Sequence, residues 1–180
     1  MIRFCVSCRN RKPSQLLVPF HSDLSGRLLL GRGTRSAWVC MEKECLLQLK
    51  HHPKKASRSL KTKVVDSNKC LQQVQNLVKR DIYKNIVHAK RSGNVYSGRN
   101  KIMRHQDSIH ILILSQSSDN QHKKNYWKTL IPKSNLFTID ISQKKLGSLV
   151  NKGSRCALGV SPNRHAQQLV EHLHQYNNLR

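Results

Sequence analysis

The stretch Ile109-His110-Ile111-Leu112-Ile113-Leu114 decides the fold class of the larger part of this 180-residue chain. Five of its six residues are isoleucine or leucine. A short apolar run rich in β-branched residues is typical of a strand that is buried on both faces. The run is too short for a membrane span, which takes about 20 residues. The stretch therefore predicts a central strand of a covered sheet.

Strands and helices alternate on both sides of this run. In chain order the predicted elements are a strand at 95–96, a helix at 99–106, the strand at 109–114, a helix at 119–130, a strand at 136–141, a helix at 143–150, a strand at 156–160 and a helix at 163–176. Such alternation is typical of a sheet with helices on both faces. It predicts an α/β/α three-layer sandwich over residues 80–180. A helix precedes it, with apolar residues at helical spacing from Leu71 to Ala89, and we expect it to end at Ser92-Gly93.

The first 66 residues have a different pattern, rich in Cys, Arg and Gly. Short apolar runs at 16–20 and 27–30 flank a turn at Ser25-Gly26, another lies at 37–40, and a short helix is expected to end near Pro53. The predicted class is therefore α+β, with a small domain at 1–66, a connecting helix at 67–79 and the sandwich domain at 80–180.

Positive charge dominates both parts of the chain. There are 33 Lys and Arg against 9 Asp and Glu, a formal net charge of +24. Residues 1–66 hold 14 basic and 4 acidic side chains, and residues 67–180 hold 19 and 5. Such a surplus strains the compact state by self-repulsion and calls for a polyanionic partner, most often nucleic acid. Because the basic residues are scattered over both parts, a basic amphipathic membrane binder is the weaker interpretation.

The cysteines form two pairs, Cys5-Val6-Ser7-Cys8 and Cys40-Met41-Glu42-Lys43-Glu44-Cys45. Thiolates two to four residues apart are how zinc ribbons gather a tetrahedral set of ligands. The alternative is that all four are reduced core residues, a common place for free cysteine. Cys70 and Cys156 lack such spacing, and we expect both to be buried. The N-terminus has no apolar run, so we expect no signal peptide and a cytoplasmic, reducing location.

The first 65 residues resemble the YlxR family of small bacterial RNA-binding proteins. The resemblance rests on Arg3-Phe4-Cys5-Val6-Ser7-Cys8-Arg9, Lys12, Leu16-Leu17, Gly26, Gly31-Arg32-Gly33-Thr34-Arg35-Ser36-Ala37-Trp38-Val39-Cys40, Cys45-Leu46 and Arg58-Ser59-Leu60. Either Arg32 or Arg35 matches the arginine of the family's glycine-arginine run, and Arg35 is preferred because Ser36-Ala37-Trp38 follows it. A glycine-rich loop also exposes N–H groups and guanidinium forks that suit phosphate oxygens. The predicted RNA contacts are Arg9, Lys12, Arg32, Arg35 and Arg58.

Residues 80–180 resemble the kink-turn-binding ribosomal proteins of the L-seven-Ae and L-thirty-e group, in particular their bacterial YlxQ-like branch. The resemblance rests on Ser92-Gly93, Ser97-Gly98-Arg99-Asn100-Lys101, the strand from Ile109 to Leu114 with Ser115, Leu146-Gly147 and the strand at 156–160. It implies RNA contacts at Gly98, Arg99, Asn100, Lys101 and Arg104. The chain departs from the family where Lys101 replaces a glutamate and where the loop 151–155 is polar and basic. Lys152 and Arg155 therefore join the predicted site, and a contact directed at the RNA backbone is expected.

Together these patterns predict a non-enzymatic protein of the bacterial cytosol that binds structured RNA, linked to translation or RNA processing. The expected partners are ribosomal RNA on the ribosome or the RNA of ribonuclease P. No cofactor is expected apart from a structural zinc on Cys5, Cys8, Cys40 and Cys45. The alternative is a nucleoid-associated, DNA-binding transcription regulator. Aromatic residues make up only 5% of the chain, which argues against single-strand binding by base stacking. The nine carboxylates show no pattern suited to catalysis.

Overall fold

The computed structural model describes residues 1–116, 121–132 and 134–180. The chain divides into two compact units. The first comprises Met1–Lys79 together with His174–Arg180, and the second comprises Arg80–Leu173. Each unit contains both helices and sheet, so the predicted α+β class is confirmed. None of the helices in the described part of the chain combines the length and apolarity needed to cross a membrane.

Two small sheets and two short helices build the first unit. In chain order they are β1 (Ile2–Phe4), β2 (Arg11–Pro13), β3 (Leu17–Ser22), β4 (Leu28–Leu30), β5 (Ala37–Cys40), α1 (Lys43–His51) and α2 (Lys54–Leu60). β1 and β2 form an antiparallel pair, and β4, β3 and β5 form an antiparallel sheet in that order. Phe20, Ala37 and Val39 are fully buried on one face of this three-stranded sheet, which is where the core of the unit lies.

The β1–β2 pair and α2 were not predicted from the sequence. Every residue of β1 is exposed, so the strand lacks the alternation of apolar and polar residues that marks a half-buried strand. α2 begins after Pro53 and buries only Ala56 and Leu60, a pair four residues apart on one helix face. Two buried positions are too few to show a helix's period of about 3.6 residues in the sequence.

The second unit contains a four-stranded sheet. Its elements are the C-terminal part of α3 (Cys70–Arg91), then β6 (Val95–Ser97), α4 (Arg99–Arg104), β7 (Ile111–Ser115), α5 (Gln121–Leu130), β8 (Asn135–Ile139), α6 (Gln143–Ser148), β9 (Ala157–Val160) and most of α7 (Arg164–Asn178). The strand order is β6, β9, β7, β8, and only the β7–β8 pair is parallel. The predicted helix at 119–130 is confirmed from Gln121 onward, since 119 and 120 lie outside the described residues.

The predicted central strand is β7, and all five of its residues are buried. Its neighbour β9 is buried at all four positions. Strands buried on both faces are expected for a sheet that other layers cover on each side. The strand begins at Ile111, two residues later than predicted, but Ile109 is also buried. A Cβ placed on Gly159 would lie 2.5 Å from the Cδ1 atom of Ile109, so a larger residue here would require the Ile109 side chain to shift.

Backbone hydrogen bonds fix the ends of helices α3 and α6. At the end of α3, Gly93 has a φ of +75°, and the N–H groups of Gly93 and Asn94 donate to the carbonyls of Lys90 and Ala89. This is the Schellman arrangement, which confirms the predicted end of the helix. At the end of α6, Asn151 has a φ of +55°, and the N–H of Lys152 donates to the carbonyl of Gly147 at 3.0 Å.

The loop that follows α6 rests directly on that helix. A Cβ placed on Gly147 would lie 1.8 Å from the carbonyl oxygen of Gly153, a distance that no packing can accommodate. Around Gly153, by contrast, nothing lies within 4 Å of an added Cβ. Gly147 therefore determines where the loop residues Lys152 and Arg155 stand.

The replacement Gly147→Ala is expected to destabilise the second unit by about 1–3 kcal/mol, because the new methyl group must push the loop off the helix. The matched change Gly153→Ala adds the same group where there is room. Urea unfolding followed by circular dichroism measures both variants. Equal midpoints for the two variants would contradict the packing described for this loop.

Candidate nucleic-acid interface and metal centre

The four paired cysteines meet in the first unit. Cys5 and Cys8 follow β1, Cys40 ends β5, and Cys45 lies in the first turn of α1. All four Sγ atoms lie within 4.8 Å of one another, and those of Cys8 and Cys40 are 3.8 Å apart. A tetrahedral zinc site with Zn–S bonds of about 2.3 Å has sulfur–sulfur edges of about 3.8 Å. The residues therefore fit a zinc ion in number, type and spacing.

The electrostatics of the cluster also suit a cation. Burial raises the pKa of the Cys5 thiol, but hydrogen bonds with the backbone of Cys8, Cys40 and Ser7 outweigh this effect and leave that pKa below its ordinary value. The backbone N–H of Cys40 donates to the Cys5 sulfur at 3.4 Å. Burial, then the nearby Cys5 charge, raises the pKa of Cys40 to about 12, and the same two causes raise the pKa of Cys45. One thiolate thus opposes ionisation of its neighbours, and a divalent cation would remove that repulsion.

The other two cysteines behave differently from each other. Cys70 is fully buried as predicted, and burial raises the pKa of its thiol to about 12. Cys156 is exposed, so the expectation that it is a buried apolar residue was wrong. It stands one position before β9, where the chain is still at the surface. The spacing of the cysteines in the sequence carries no information about whether a residue at the end of a strand is exposed.

The glycine-arginine loop in the first unit is held against β3. The N–H of Gly31 donates to the carbonyl of Pro19 at 2.9 Å, and the carbonyl of Gly31 lies 3.3 Å from Nδ1 of His21. Gly31 has a φ of +138°, and a Cβ on Gly33 would lie 2.8 Å from the Cβ of His21. Both glycines are thus required by the backbone geometry. The loop presents Arg32 and Arg35 as exposed side chains on a fixed backbone.

Arg35 lines a cleft of about 450 Å³ in the first unit, which His21, Ser22, Gly33, Thr34, Leu60, Lys61 and Thr62 complete. Lys61 was not predicted as a site residue. It stands at the end of α2 with a φ of +55°, and this left-handed turn brings Lys61 into the same cleft as Arg35. Because α2 itself was not recognised in the sequence, no signal could have placed Lys61 there.

The remaining predicted contacts of the first unit lie outside this cleft. Arg9, Arg32 and Arg58 are exposed and do not line it. Lys12 is half-buried and forms an ion pair with Glu42, and its hydrogen bond to that carboxylate raises the lysine pKa. An RNA phosphate at Lys12 would have to compete with this pair.

In the described part of the first unit, arginines contact aromatic rings at two places that the sequence analysis did not single out. The guanidinium carbons of Arg3 and Arg32 lie 5.7 and 5.4 Å from the ring centroid of Trp38. That of Arg11 lies 4.7 Å from the ring of Phe4, its direct partner across the β1–β2 pair. These contacts join segments that are distant in sequence or belong to an unpredicted sheet.

The second unit has a basic cleft of about 410 Å³. Ser97, Gly98, Arg99, Asn100, Lys101, Lys152 and Arg155 line it. The structure thus brings together the two predicted groups, one at the start of α4 and one in the loop after α6. Arg104 is exposed at the far end of α4 and does not line the cleft in the described part of the chain.

Arg155 is the most enclosed cation of this cleft. Its backbone N–H donates to the carbonyl of Gln143, and its Nη1 donates to the carbonyl of Ser154, both at 2.9 Å. Its Nε is buried and has no hydrogen-bond partner among the described residues. A buried donor without an acceptor is costly. At the rim, Arg99 lies 5.3 Å from the ring of Tyr126.

No protein-family model and no curated protein sequence matches the chain. Among solved structures, a Bacillus halodurans protein of unknown function shares 17% identity at a TM-score of 0.45, covering 52% of this chain and 96% of that one. A Giardia lamblia 15.5 kD RNA-binding protein shares 11% identity at a TM-score of 0.46, covering 57% of this chain and 90% of that one. Similarity at this level identifies neither the family nor the function of the chain.

Proposed function

We propose that the chain is a non-enzymatic RNA-binding protein whose two units contact one structured RNA. The observation that carries this proposal is that each unit holds its own concave cleft lined by cationic side chains, on a chain with a net charge of +24. Clusters of Lys and Arg are the electrostatic footprint of nucleic-acid binding. Linking two modest sites raises the overall affinity without a new contact in either.

The chemistry of the second-unit cleft favours phosphate as the group it binds. The side chains of Arg99, Lys101, Lys152 and Arg155 line it, and all four are donors without acceptor capacity. Charge-assisted hydrogen bonds to phosphate are among the strongest that side chains make. Lys101 cannot accept a hydrogen bond from a base amino group, so the contact would read the RNA backbone and its shape.

The finer identity follows the sequence resemblance. We infer a fusion of a YlxR-like unit and a YlxQ-like unit that acts in the bacterial cytosol on ribosomal RNA or on the RNA of ribonuclease P. A nucleoid-associated DNA binder is the second candidate, because a basic surface attracts any phosphate backbone. It would need side chains that read base edges in a groove.

A structural zinc would complete the first unit. The four thiols lie on β5, on α1 and on the turn after β1, so one ion would join three segments of a unit with a small core. Binding energy at such a site is folding energy, because the unfolded chain has no preformed site. The ion would have no part in RNA chemistry.

We expect the double variant Arg32→Gln/Arg35→Gln to bind structured RNA less tightly than the native chain. The log–log salt slope of its affinity should flatten by about 0.7–0.9 for each lost phosphate contact. Lys101→Gln/Lys152→Gln should act in the same way in the second unit. Fluorescence anisotropy with a labelled hairpin RNA at several salt concentrations measures both.

The matched controls are Lys69→Gln and Arg91→Gln, which remove exposed charges outside the two clefts. They should keep nearly the native affinity. If the controls lose as much affinity as the two double variants, binding depends on net charge alone and these four residues are not the sites.

A direct comparison of partners separates RNA from DNA. The native chain should bind a structured RNA at least tenfold more tightly than a DNA duplex of equal length and phosphate number at the same salt. Equal or tighter binding of the duplex would support the nucleoid candidate instead. Matching the phosphate number matters because counterion release contributes to both complexes.

The zinc proposal predicts one zinc per chain when the protein is purified without chelator, measured by native mass spectrometry. Cys8→Ser and Cys45→Ser should lose the ion and lower the unfolding temperature of the first unit, because each removes one of four ligands. Cys156→Ser, which changes an exposed cysteine elsewhere, should keep it. A native chain that folds without metal would contradict the proposal.

A further inference from the structure

The three-stranded sheet of the first unit has a second face that the core does not use. The strand register places Trp38 opposite Pro19, and His21 opposite Leu29. Because Pro19 and His21 are two positions apart on β3, all four side chains lie on the same face of the sheet. Three of them are half-buried, and Leu29 is 39% exposed. The face is thus a partly apolar surface with one large aromatic ring.

The backbone at Trp38 is held on both sides. Its carbonyl accepts a hydrogen bond from the N–H of Val6 at 2.8 Å, and β5 pairs with β3 on its other side. The sheet therefore fixes the point from which the indole side chain extends. An aromatic side chain has only two rotatable bonds, so ordering it against a stacked partner costs little conformational entropy.

Two guanidinium groups lie over the ring of Trp38. Arg3 comes from β1 and Arg32 from the glycine-arginine loop, and both lie under 6 Å from the ring centroid. Both side chains are exposed, and neither forms an ion pair within the described part of the chain. A ligand that suits this face has a flat ring and carries negative charge beside it.

We propose that this sheet face binds an unpaired RNA nucleotide, whose phosphates pair with Arg3 and Arg32 and draw their guanidinium groups off the ring, so that the base stacks on Trp38 in their place. The inference rests on the proposed RNA binding and names the part of the RNA that the first unit contacts. Only unpaired residues in loops, bulges and ends present a free base face, since a duplex hides its faces in the stack. The scarcity of rings in the chain does not oppose this, because one nucleotide needs one ring.

Tryptophan fluorescence of the full chain tests the contact. The chain has two tryptophans, so Trp127→Phe leaves Trp38 as the only one. A single-stranded RNA of eight nucleotides should quench its emission on binding. An RNA duplex at the same salt should bind without comparable quenching. Binding of the single strand without quenching would overturn the proposal.

Substitution at the ring gives an independent readout. Trp38→Leu should weaken single-strand binding by about thirtyfold, the middle of the range for losing one base–aromatic stack, and leave duplex affinity within about twofold. Trp38→Phe keeps a ring and should recover most of the loss, which also guards against misfolding of the leucine variant. Equal single-strand affinity for the leucine and phenylalanine variants would overturn the stacking.

The outcomes separate this proposal from the broader one. If the native chain binds neither single-stranded nor duplex RNA, both proposals fail together. If it binds RNA and Trp38→Leu changes nothing, only the stacking site fails. If single-stranded DNA quenches Trp38 and single-stranded RNA does not, the face belongs to a DNA binder and the proposal is overturned.

Discussion

Repulsion among like charges is the constraint on which the rest of this protein depends. The chain carries 33 basic side chains and only 9 acidic ones. Among the described residues, acidic side chains form ion pairs with neighbouring basic ones: Asp23 with Arg27, Glu42 with Lys12, and Asp81 with Arg80 and Lys84. These pairs neutralise only a few of the basic side chains, so most of the positive charge is left for a partner. Exposed ion pairs of this kind also contribute little to the stability of the fold. A polyanion would relieve the repulsion and would bind wherever the fold concentrates the charge.

Concentrating charge requires a backbone that holds cations close together, and tight contacts of glycine provide it. Gly33 lies against His21 and keeps the glycine-arginine loop on β3, so that Arg35 lines the cleft of the first unit. Gly147 lies against Gly153 and keeps the basic loop on α6. In both units the repelling side chains are exposed and the backbone beneath them is fixed by close packing. The four thiols would add a further constraint in the first unit through a metal ion.

Local patterns in the sequence predicted much of the fold. The apolar run became the buried strand β7, the Ser92-Gly93 signal ended α3, and the paired cysteines came together as their spacing indicated. Features that depend on distant pairing were not readable. The exposed strand β1 and the short helix α2 show no periodic pattern of apolar residues in the sequence. The sequence therefore could not predict that Lys61 lies beside Arg35 or that Arg3 lies beside Trp38. Tertiary contacts decide such positions, which local propensity cannot report.

The central claim is that one RNA touches the chain through both basic clefts. Ultraviolet cross-linking of the protein to its co-purifying nucleic acid, followed by mass spectrometry of the cross-linked peptides and sequencing of the nucleic acid, tests it most directly. We expect a structured RNA cross-linked to peptides of both units, around Arg32–Trp38 in the first and around Arg99, Lys152 and Arg155 in the second. Random DNA fragments, or cross-links spread evenly over the basic residues, would contradict it.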